Sequence, residues 1–589
     1  MPQGRRKIPF SGKAKKEQLK AKKQSKEELQ GKRRNPPLLQ SYGDVDEASS
    51  SIQKVNLQPT KGNKAVPNRY ALHFFTETKE EIAHRKELAR HSLEMKQETD
   101  LEINGDDYYD KSLDFPKRPT WNFQLTKQEL DAQENKYFTE YVREITSKFD
   151  RRELSIFELN LETWRQLWRV LEMSDVILFI VDIRYPALMF PPSLYEYVTT
   201  TLKKHFIVVL NKIDLAPAPL VVAWKHYFQE KYPEIHIVMF TTLPGYNLIG
   251  KQSDKSGLVI RRRRGRIRMA AEGTQQILEV CKKIVGNIVD LTNWENKIKD
   301  ELNEEYDPEH EKVEVGETIQ LKNVDTNFME YEKFRNDILT IGCVGQPNVG
   351  KSSLINAMMG KKVVSVSKTP GHTKYFQTIF LTSNVKLCDC PGLVFPSKVP
   401  KMLQVLMGSY PIAQLREPFT VVKYLAENLD LVHLLKIDHP DNDTTWSAMD
   451  ICDGWAKKRG YYTAKAARLD SYRAANSILR MALDGKICLC LRPPSYIAKK
   501  DYWTSHPDIK TVKWIQARTS EDEYPEEHIA DDTVFDDSDN EDKQRMGINH
   551  EESENSTDGD EEEEDVSVSE EEEVRAISSN KFSALDTVS

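Results

Sequence analysis

Short runs of apolar residues alternate with stretches of helical periodicity through the middle of the chain. Val176 to Val181 is one such run, and Trp164, Leu167, Trp168 and Leu171 before it recur at the spacing of one helix face. Similar runs occur at Phe206 to Leu210, His236 to Phe240, Ile338 to Val344 and Val385 to Leu387. Short apolar runs are typical of strands buried on both faces. Their alternation with helices predicts an α/β fold with a doubly wound parallel sheet, in which ligands bind at the carboxyl ends of the strands.

The residues before this α/β region predict a charged helical extension. Thr126 and Glu129 have the spacing of a capping box, and Leu125 with Leu130 forms a hydrophobic staple. Together they predict a helix that begins near Thr126 and runs toward Tyr141.

An insertion of about a hundred residues interrupts the α/β pattern. Within it, Arg261 to Arg268 is densely basic and Glu301 to Glu317 is acidic. Neither segment has the apolar periodicity of a core element, so both are interpreted as surface loop and linker.

Apolar residues return at helical spacing after Pro396, from Leu403 to Leu435 and from Trp446 to Leu489, which predicts a second, mostly helical domain. The complete prediction has five segments: a basic disordered arm (1–67), a helical N-terminal extension (68–159), the α/β domain (160–396, with the insertion at about 250–335), a helical C-terminal domain (397–515) and an acidic disordered tail (516–589).

Charge is distributed very unevenly along the 589 residues, although the net charge is only -8. Residues 1–35 carry 13 Lys or Arg against 3 Glu, whereas residues 551–573 carry 14 Asp or Glu and no basic residue. Blocks of like charge remain solvated and usually act as interaction tails.

The seven cysteines include no C-x-x-C pair, and no apolar run approaches the roughly 20 residues that span a bilayer. We therefore expect a reducing intracellular compartment and no membrane partner.

The segment from Gly345 to Ser352 reads Gly-Gln-Pro-Asn-Val-Gly-Lys-Ser and matches the phosphate-binding loop pattern G-x-x-x-x-G-K-S/T. In this pattern backbone N–H groups cradle the phosphates, the lysine reaches the outer phosphates and the serine hydroxyl meets Mg²⁺. A glycine-rich turn before a helix also occurs for packing reasons. The apolar strand before Gly345 and the helical pattern after Ser352 favour the phosphate loop.

Asn211-Lys212-Ile213-Asp214 follows another apolar run, well over a hundred residues earlier. The bare pattern could be a simple turn, because Asn and Asp favour turns. At the end of a strand, however, the Asp214 carboxylate can accept hydrogen bonds from both N1–H and the 2-amino group of guanine. Adenine offers no such pair of donors, which would give GTP preference over ATP.

Asp389-Cys390-Pro391-Gly392 completes an unusual order of motifs: base reader, phosphate loop, and then an Asp-x-x-Gly segment. This order resembles the circularly permuted GTPase family. The resemblance covers roughly residues 68–500 and includes the block from Asn160 to Ser174.

The resemblance implies a P-loop GTPase fold and a set of site residues. Asp389 would hold Mg²⁺ through water, the Gly392 N–H would contact the γ-phosphate, and Thr373 is the candidate switch threonine that joins Ser352 and Asp389 at Mg²⁺. Lys351, Thr373 and Gly392 are the candidate catalytic residues. The residues expected to contact nucleotide are Asn211, Lys212, Ile213, Asp214, Gly345, Gln346, Pro347, Asn348, Val349, Gly350, Lys351, Ser352, Asp389, Cys390, Pro391, Gly392 and Leu393.

Leu393 stands where Ras-like GTPases carry the glutamine that orients the attacking water, so slow intrinsic hydrolysis is expected. A partner, or a K⁺ ion held by Asn348, would compensate according to the resemblance. Thr241 and Thr242 are weaker candidates for backbone contacts to the base. For Asp182-Ile-Arg184, a turn and a direct nucleotide contact remain open alternatives, whereas His372 is interpreted as a loop residue.

Two functions are consistent with these features. The first is a GTP-dependent switch in assembly of a ribonucleoprotein, above all the large ribosomal subunit, as the resemblance implies. Basic residues interleaved with aromatics in 455–480 suit RNA as a partner, although they also fit a solvated helix face. The alternative is a GTP-gated protein scaffold in signalling or transport that binds no RNA. The basic clusters Lys13 to Lys23 and Lys32 to Arg34 suggest a location in the nucleus or nucleolus, with shuttling to the cytoplasm.

Overall fold

The structure is a computed structural model that describes residues 52–55, 72–75, 77–150, 153–241, 246–248, 260–262, 266–303, 331–366, 376–463 and 468–516. The predicted acidic tail beyond residue 516 lies outside the described residues, as does the basic arm apart from residues 52–55. The acidic segment of the insertion, Glu301 to Glu317, is described only as far as residue 303.

The described strands, in chain order, are β1 (Ile52–Val55), β2 (Leu72–Phe75), β3 (Val176–Asp182), β4 (His205–Asn211), β5 (His236–Met239), β6 (Tyr246–Leu248), β7 (Ile260–Arg262), β8 (Leu339–Gly345), β9 (Gln377–Thr382) and β10 (Val385–Asp389). Six of them form one sheet in the order β5-β4-β3-β8-β10-β9. The first five strands of that order are parallel. All residues of β3 and β8 are buried, which explains their predominantly apolar sequences.

The sheet differs from the prediction at one edge, where β9 runs antiparallel to β10. Only two residues separate these strands, so the chain reverses direction in a tight hairpin instead of crossing over through a helix. This strand was not predicted, because its apolar run is only three residues long, Ile379 to Leu381, and most of β9 is only partly buried.

Strand register brings the predicted motifs to one edge of the sheet. Asp182 at the end of β3 pairs with Asn211 at the end of β4, and Ile180 pairs with Gly345 at the end of β8. Asp389 ends β10 opposite Cys343 of β8. Because these strands are parallel, all four carboxyl ends face the same side of the molecule.

The described α-helices are α1 (Lys79–Leu88), α2 (Lys127–Lys148), α3 (Leu161–Met173), α4 (Pro186–Met189), α5 (Pro192–Glu196), α6 (Ala218–Lys231), α7 (Arg266–Val285), α8 (Thr292–Asn303), α9 (Lys351–Met359), α10 (Lys401–Leu406), α11 (Phe419–Asn428), α12 (Leu431–Leu435), α13 (Ala448–Arg459), α14 (Ser471–Leu483), α15 (Lys500–Ser505) and α16 (Ile509–Ile515). Helix α2 begins at the predicted capping box of Thr126 and Glu129. No helix among them is long and apolar enough to cross a membrane.

The interpretation of Arg261 to Arg268 and Glu301 to Glu317 as surface loop and linker is wrong for the parts that the structure describes, because residues 260–262 form β7 and α8 continues to Asn303. Helix α7 begins inside the basic segment, at Arg266, and both α7 and α8 contribute buried side chains to the core. Ile277, Cys281 and Val285 recur four residues apart and place one face of α7 in the interior. Helix α7 packs against β5 and α9, so the insertion covers part of the sheet.

The region after residue 400 is helical, as the periodicity predicted. Helices α11, α13 and α14 pack against one another, whereas α15 and α16 pack against α6 of the α/β region. The end of the described chain therefore returns to the helix that follows the Asn211 to Asp214 motif. The bounds of the five predicted segments remain a prediction.

Candidate nucleotide site

The phosphate-loop motif forms a tight turn between β8 and α9. A Cβ atom added at Gly345 would lie 2.5 Å from the carbonyl oxygen of Ile180, so no side chain fits where β8 passes β3. Gly350 caps α9 with φ of +99°, a backbone conformation that favours glycine. The helix N-terminus that follows has unpaired backbone N–H groups and a favourable dipole for an anion. The turn can therefore bind phosphate.

The Lys351 ammonium is folded back onto the loop. Its Nζ donates to the carbonyl oxygens of Gly345 at 3.1 Å and Gln346 at 2.7 Å. Burial lowers the pKa of Lys351, although the nearby Asp389 carboxylate opposes this. Charged phosphate oxygens are stronger acceptors than these neutral carbonyls, so Lys351 is placed to exchange its present partners for a phosphate.

Ser352 and Asp389 meet across the turn, with Ser352 Oγ donating to Asp389 Oδ2 at 2.9 Å. The other carboxylate oxygen, Asp389 Oδ1, is buried and has no hydrogen-bond partner among the described residues. Burial raises the pKa of Asp389 to about 6. A buried carboxylate with an unsatisfied oxygen beside a hydroxyl fits a hard cation such as Mg²⁺, which prefers oxygen ligands. Ser352 and Asp389 would hold that ion, which supplies positive charge to polarise phosphate oxygens.

Gly392 packs directly against the phosphate loop. A Cβ atom there would lie 2.8 Å from Pro347 Cα, so only glycine permits this approach. The backbone N–H of Leu393 donates to Gly345 O at 3.3 Å. The Leu393 side chain is fully buried. Because it is apolar, it offers no polar group at the position where a glutamine would orient water.

Two cysteines flank Asp389 at the end of β10. Cys388 and Cys390 are both fully buried, and burial raises the pKa of each thiol. Neither cysteine belongs to a metal-binding group among the described residues. Their environment is that of packed core side chains.

The Asn211 to Asp214 motif is hydrogen-bonded to the phosphate loop. Asn211 Nδ2 donates to Val349 O at 2.7 Å, and Lys212 Nζ donates to Asn348 O at 2.7 Å. These two bonds join segments more than 130 residues apart in sequence. They fix the distance between the Asn211 to Asp214 loop, the candidate base-reading loop, and the turn of the phosphate-loop motif.

Asp214 is fully buried, and its carboxylate is oriented by Thr241. Thr241 Oγ1 donates to Asp214 Oδ1 at 2.6 Å. Sequence reasoning predicted only backbone contacts to the base from Thr241; the signal for its side-chain role is a hydroxyl residue placed just after β5. Thr242 lies outside the described residues.

Asp182 and Arg184 form a buried ion pair behind the site, and each side chain is 1% exposed. Arg184 Nε and Nη2 donate to the two Asp182 oxygens at 3.0 and 2.9 Å, and Lys212 Nζ donates to Oδ2 at 2.8 Å. Burial alone would raise the pKa of Asp182, but Arg184 and Lys212 hold it well below its ordinary value. The sequence left open a turn or a direct nucleotide contact for this segment. The structure shows a turn, in which the Tyr185 N–H donates to Asp182 O at 3.0 Å, and the Asp182 carboxylate pairs with Arg184 and Lys212.

Residues of the helical region also reach the site. Ser409 Oγ donates to Gln346 Oε1 at 2.8 Å, and Asn348 Nδ2 donates to Gly408 O at 2.9 Å. Sequence reasoning missed Ser409 and Gly408, because no local pattern marks partners that lie about sixty residues from the loop. Gly408 has φ of +76°, and a Cβ atom there would lie 3.0 Å from the Asn348 side chain.

The two remaining switch-region residues considered from the sequence are Thr373 and His372, which lie outside the described residues. The proposed role of Thr373 at Mg²⁺ therefore stays a prediction. Apart from Thr242, all other predicted site residues are described, and the structure brings them together at the carboxyl edge of the sheet.

Comparisons with known proteins identify related GTPases. A family model described as "50S ribosome-binding GTPase" matches residues 340–441. "Guanine nucleotide-binding protein-like 1" of Homo sapiens is 47% identical over 495 residues, which is 81% of this chain and 81% of that protein. "Large subunit GTPase 1" of Saccharomyces cerevisiae is 32% identical over 413 residues, covering 66% of this chain and 58% of its own. The GNP-bound YlqF structure from T. maritima aligns with 56% of this chain and 98% of its own at 16% identity, with a TM-score of only 0.32.

Proposed function

The chain belongs to the circularly permuted GTPase family that includes guanine nucleotide-binding protein-like 1, and we propose that it is a GTP-dependent switch in assembly of the large ribosomal subunit. It binds guanine nucleotide and is a GTPase. The ribosomal role, the slow rate of hydrolysis and the coupling to a partner are the parts that we infer.

The observation that carries the proposal is the direct bonding between motifs that are far apart in sequence. Asn211 donates to Val349 of the phosphate loop, and Ser352 of that loop donates to Asp389. Base recognition, phosphate binding and the candidate Mg²⁺ ligands therefore form one site despite their permuted order. This arrangement suits a nucleotide that contacts all three segments at once.

Slow intrinsic hydrolysis follows from the absence of a water-orienting side chain after Gly392. Leu393 is apolar and buried, so it cannot accept a proton or position the attacking water.

A K⁺ ion bound at the site is one way to compensate for the missing water-orienting side chain. The side-chain nitrogen of Asn348 is engaged by Gly408 O, which leaves the side-chain oxygen of Asn348 as the group that could ligate K⁺.

Switching would be transmitted to the helical region by the contacts around the phosphate loop. Gln346 and Asn348 are bonded to Ser409 and Gly408, which follow α10 directly. Only seven residues, Val394 to Pro400, separate Leu393 from α10. A γ-phosphate that reorders the loop and the segment after Asp389 would therefore move α10 relative to the sheet.

The large ribosomal subunit is proposed as the partner on two grounds. The matching family model and the yeast relative carry "50S ribosome-binding" and "large subunit" in their names. In this chain, Lys457 and Lys458 are exposed at the end of α13, and Tyr462 and Tyr472 nearby are 54% and 41% exposed. Basic groups with exposed rings suit RNA, because phosphates give affinity and rings stack on unpaired bases. We propose the nucleus or nucleolus as the site of action, with shuttling to the cytoplasm.

Co-sedimentation with large ribosomal subunits and their precursors tests the proposal. The full chain is loaded with GDP or with a nonhydrolysable GTP analogue, and Lys351→Ala is the control that should lose the dependence on nucleotide. Lys457→Glu combined with Lys458→Glu should weaken binding and its dependence on salt, since fewer phosphates are neutralised.

Nucleotide-dependent co-sedimentation that Lys351→Ala abolishes would support an assembly GTPase. Sedimentation that is absent in both nucleotide states would refute the ribosomal role and favour a GTP-gated protein scaffold.

A further inference from the structure

A second group of metal-ligating side chains lies outside the nucleotide site. It consists of His226 on α6, His506 after α15, and Asp508 at the start of α16, and their potential ligand atoms all lie within 4.8 Å of one another. The rings of His226 and His506 have their centroids 4.7 Å apart. Helix α6 packs against both α15 and α16, so the group spans a tertiary contact.

His226 is the side chain in this group with an unmet bonding need. Its Nε2 atom is buried and has no hydrogen-bond partner among the described residues, and it lies 4.0 Å from Asp508 Oδ2. A buried ring nitrogen without a partner is costly unless something binds it. A metal ion between the imidazole and the carboxylate would satisfy this nitrogen.

We propose that His226, His506 and Asp508 bind one divalent cation of the Zn²⁺ type. Two imidazoles and one carboxylate favour Zn²⁺ over Mg²⁺ or Ca²⁺, which prefer oxygen ligands alone. Zinc–ligand bonds of about 2.0–2.1 Å in a tetrahedron place ligand atoms about 3.4 Å apart. The three side chains are near enough to reach that spacing through small rotamer changes, and a water molecule would complete the tetrahedron.

Loading exchanges existing contacts for metal bonds. His506 Nδ1 accepts from the Asp508 backbone N–H at 3.2 Å, so the imidazole must give up this bond or change tautomer to ligate. Lys225 Nζ lies 2.7 Å from Asp508 Oδ2 and supplies the positive charge that the carboxylate now pairs with. The ammonium and the metal compete for Asp508, which gives the proposal a distinctive test.

The position of the site connects it with guanine recognition, a consequence that rests on the proposed function. Helix α6 begins at Ala218, four residues after Asp214, and α16 is followed by Gln516. Gln516 Nε2 donates to Ile213 O at 2.6 Å and to Ala216 O at 3.0 Å. A metal that joins α6 to α16 would therefore hold together the helix that follows the candidate base-reading loop and the helix whose next residue, Gln516, is hydrogen-bonded to that loop.

The experiment uses the full chain, stripped of metal with a chelator and titrated with Zn²⁺, and with Co²⁺ as a spectroscopic probe. We expect Co²⁺ to produce d–d absorption of tetrahedral intensity. His226→Gln, His506→Gln and Asp508→Asn should each weaken Zn²⁺ binding roughly 10-fold or more. His84→Gln changes an exposed histidine of α1 and is the matched control, with no expected effect.

Lys225→Met separates a metal site from a purely structural cluster. Removal of the competing ammonium should tighten Zn²⁺ binding, whereas a cation bound elsewhere in the chain would be unaffected. Zn²⁺ should also raise the Tm of the wild type but not that of the three ligand variants. These thermal data are compared with the Tm of each metal-free variant, so a folding defect is recognised directly.

Equal Zn²⁺ affinity in the wild type and the three ligand variants would overturn the proposal, as would unchanged affinity in Lys225→Met. Binding of fluorescent GDP is measured on the same samples. If the wild type binds GDP but not Zn²⁺, only the metal site is refuted. If it binds Zn²⁺ but not GDP, only the nucleotide function is refuted.

Discussion

Replacing Arg184 with methionine should destabilise the protein far more than replacing a surface arginine does. The substitution retains much of the aliphatic stem and removes the guanidinium that pairs with both oxygens of Asp182. It also removes the donor to Ala482 O, which Arg184 Nη1 reaches at 2.6 Å. Both a buried carboxylate and a buried carbonyl would lose a partner.

Burial sets the size of the effect. Asp182 and Arg184 are each 1% exposed, and removing one partner of such a pair typically costs about 3–5 kcal/mol. Lys212 remains 2.8 Å from Asp182 and retains part of the compensation, so we expect a loss near the lower end, about 3 kcal/mol. Because the pKa of Asp182 is depressed, this contribution is complete above the ordinary Asp pKa and is lost progressively as the pH falls below that value toward the depressed pKa.

The assay is urea unfolding of the nucleotide-free protein at neutral pH, followed by tryptophan fluorescence. Arg90→Met is the control, because Arg90 pairs with Glu87 at 3.2 Å with both side chains more than half exposed. An exposed pair contributes about 0–1 kcal/mol. In a cycle with Asp182→Asn, the double variant should lose less than the sum of the single variants, by about 1–3 kcal/mol. A loss in Arg184→Met no larger than the control, or additive effects in the cycle, would refute the reasoning.

Three further predictions concern the nucleotide site and the core. Asp214→Asn should weaken GTP binding roughly 10- to 100-fold and favour xanthosine triphosphate, whose 2-oxo group accepts where guanine donates; unchanged GTP affinity in a fluorescent-nucleotide assay would contradict the base-reading role. GTP hydrolysis should be faster in K⁺ than in Na⁺, and Asn348→Ala should remove the difference; equal rates in the wild type would exclude K⁺ assistance. Burial lowers the pKa of Lys204 to about 8, so the unfolded chain binds more protons between pH 8 and 10 and folding stability gains about 2 kcal/mol from this group as pH rises. Thermal unfolding of wild type and Lys204→Met should diverge over that range, and a constant difference would be inconsistent with this.

The α/β fold could be predicted because its information is local. β3 and β8 are buried throughout and mostly apolar, and the helices between strands keep their 3.6-residue periodicity. The strand β9 and the helix α7 were missed for different reasons. The apolar run of β9 is only three residues long, Ile379 to Leu381, in a strand that is mostly only partly buried, and the start of α7 lies in a cluster of arginines.

The candidate site divides in the same way. The motifs at Asn211 and Gly345 were visible because phosphate and guanine recognition need fixed residue types at short spacing. The hydroxyl of Thr241 that orients Asp214, and the oxygen of Gly408 that receives Asn348, have no such spacing. Their roles depend on which segments the fold brings into contact.

The amino-acid sequence by itself determined the family, the order of the motifs, the alternation of strands and helices, and the chemistry that each motif can perform. These features depend on residue type and short-range spacing, which are properties of the sequence and do not require the folded structure. Only the tertiary structure decided that Arg184 bridges Asp182 to Ala482, that Gln516 supports the loop at Ile213, and that His226 meets His506 and Asp508. Such contacts join residues hundreds of positions apart, and they follow from packing of the whole chain, where no local pattern records which surfaces will meet.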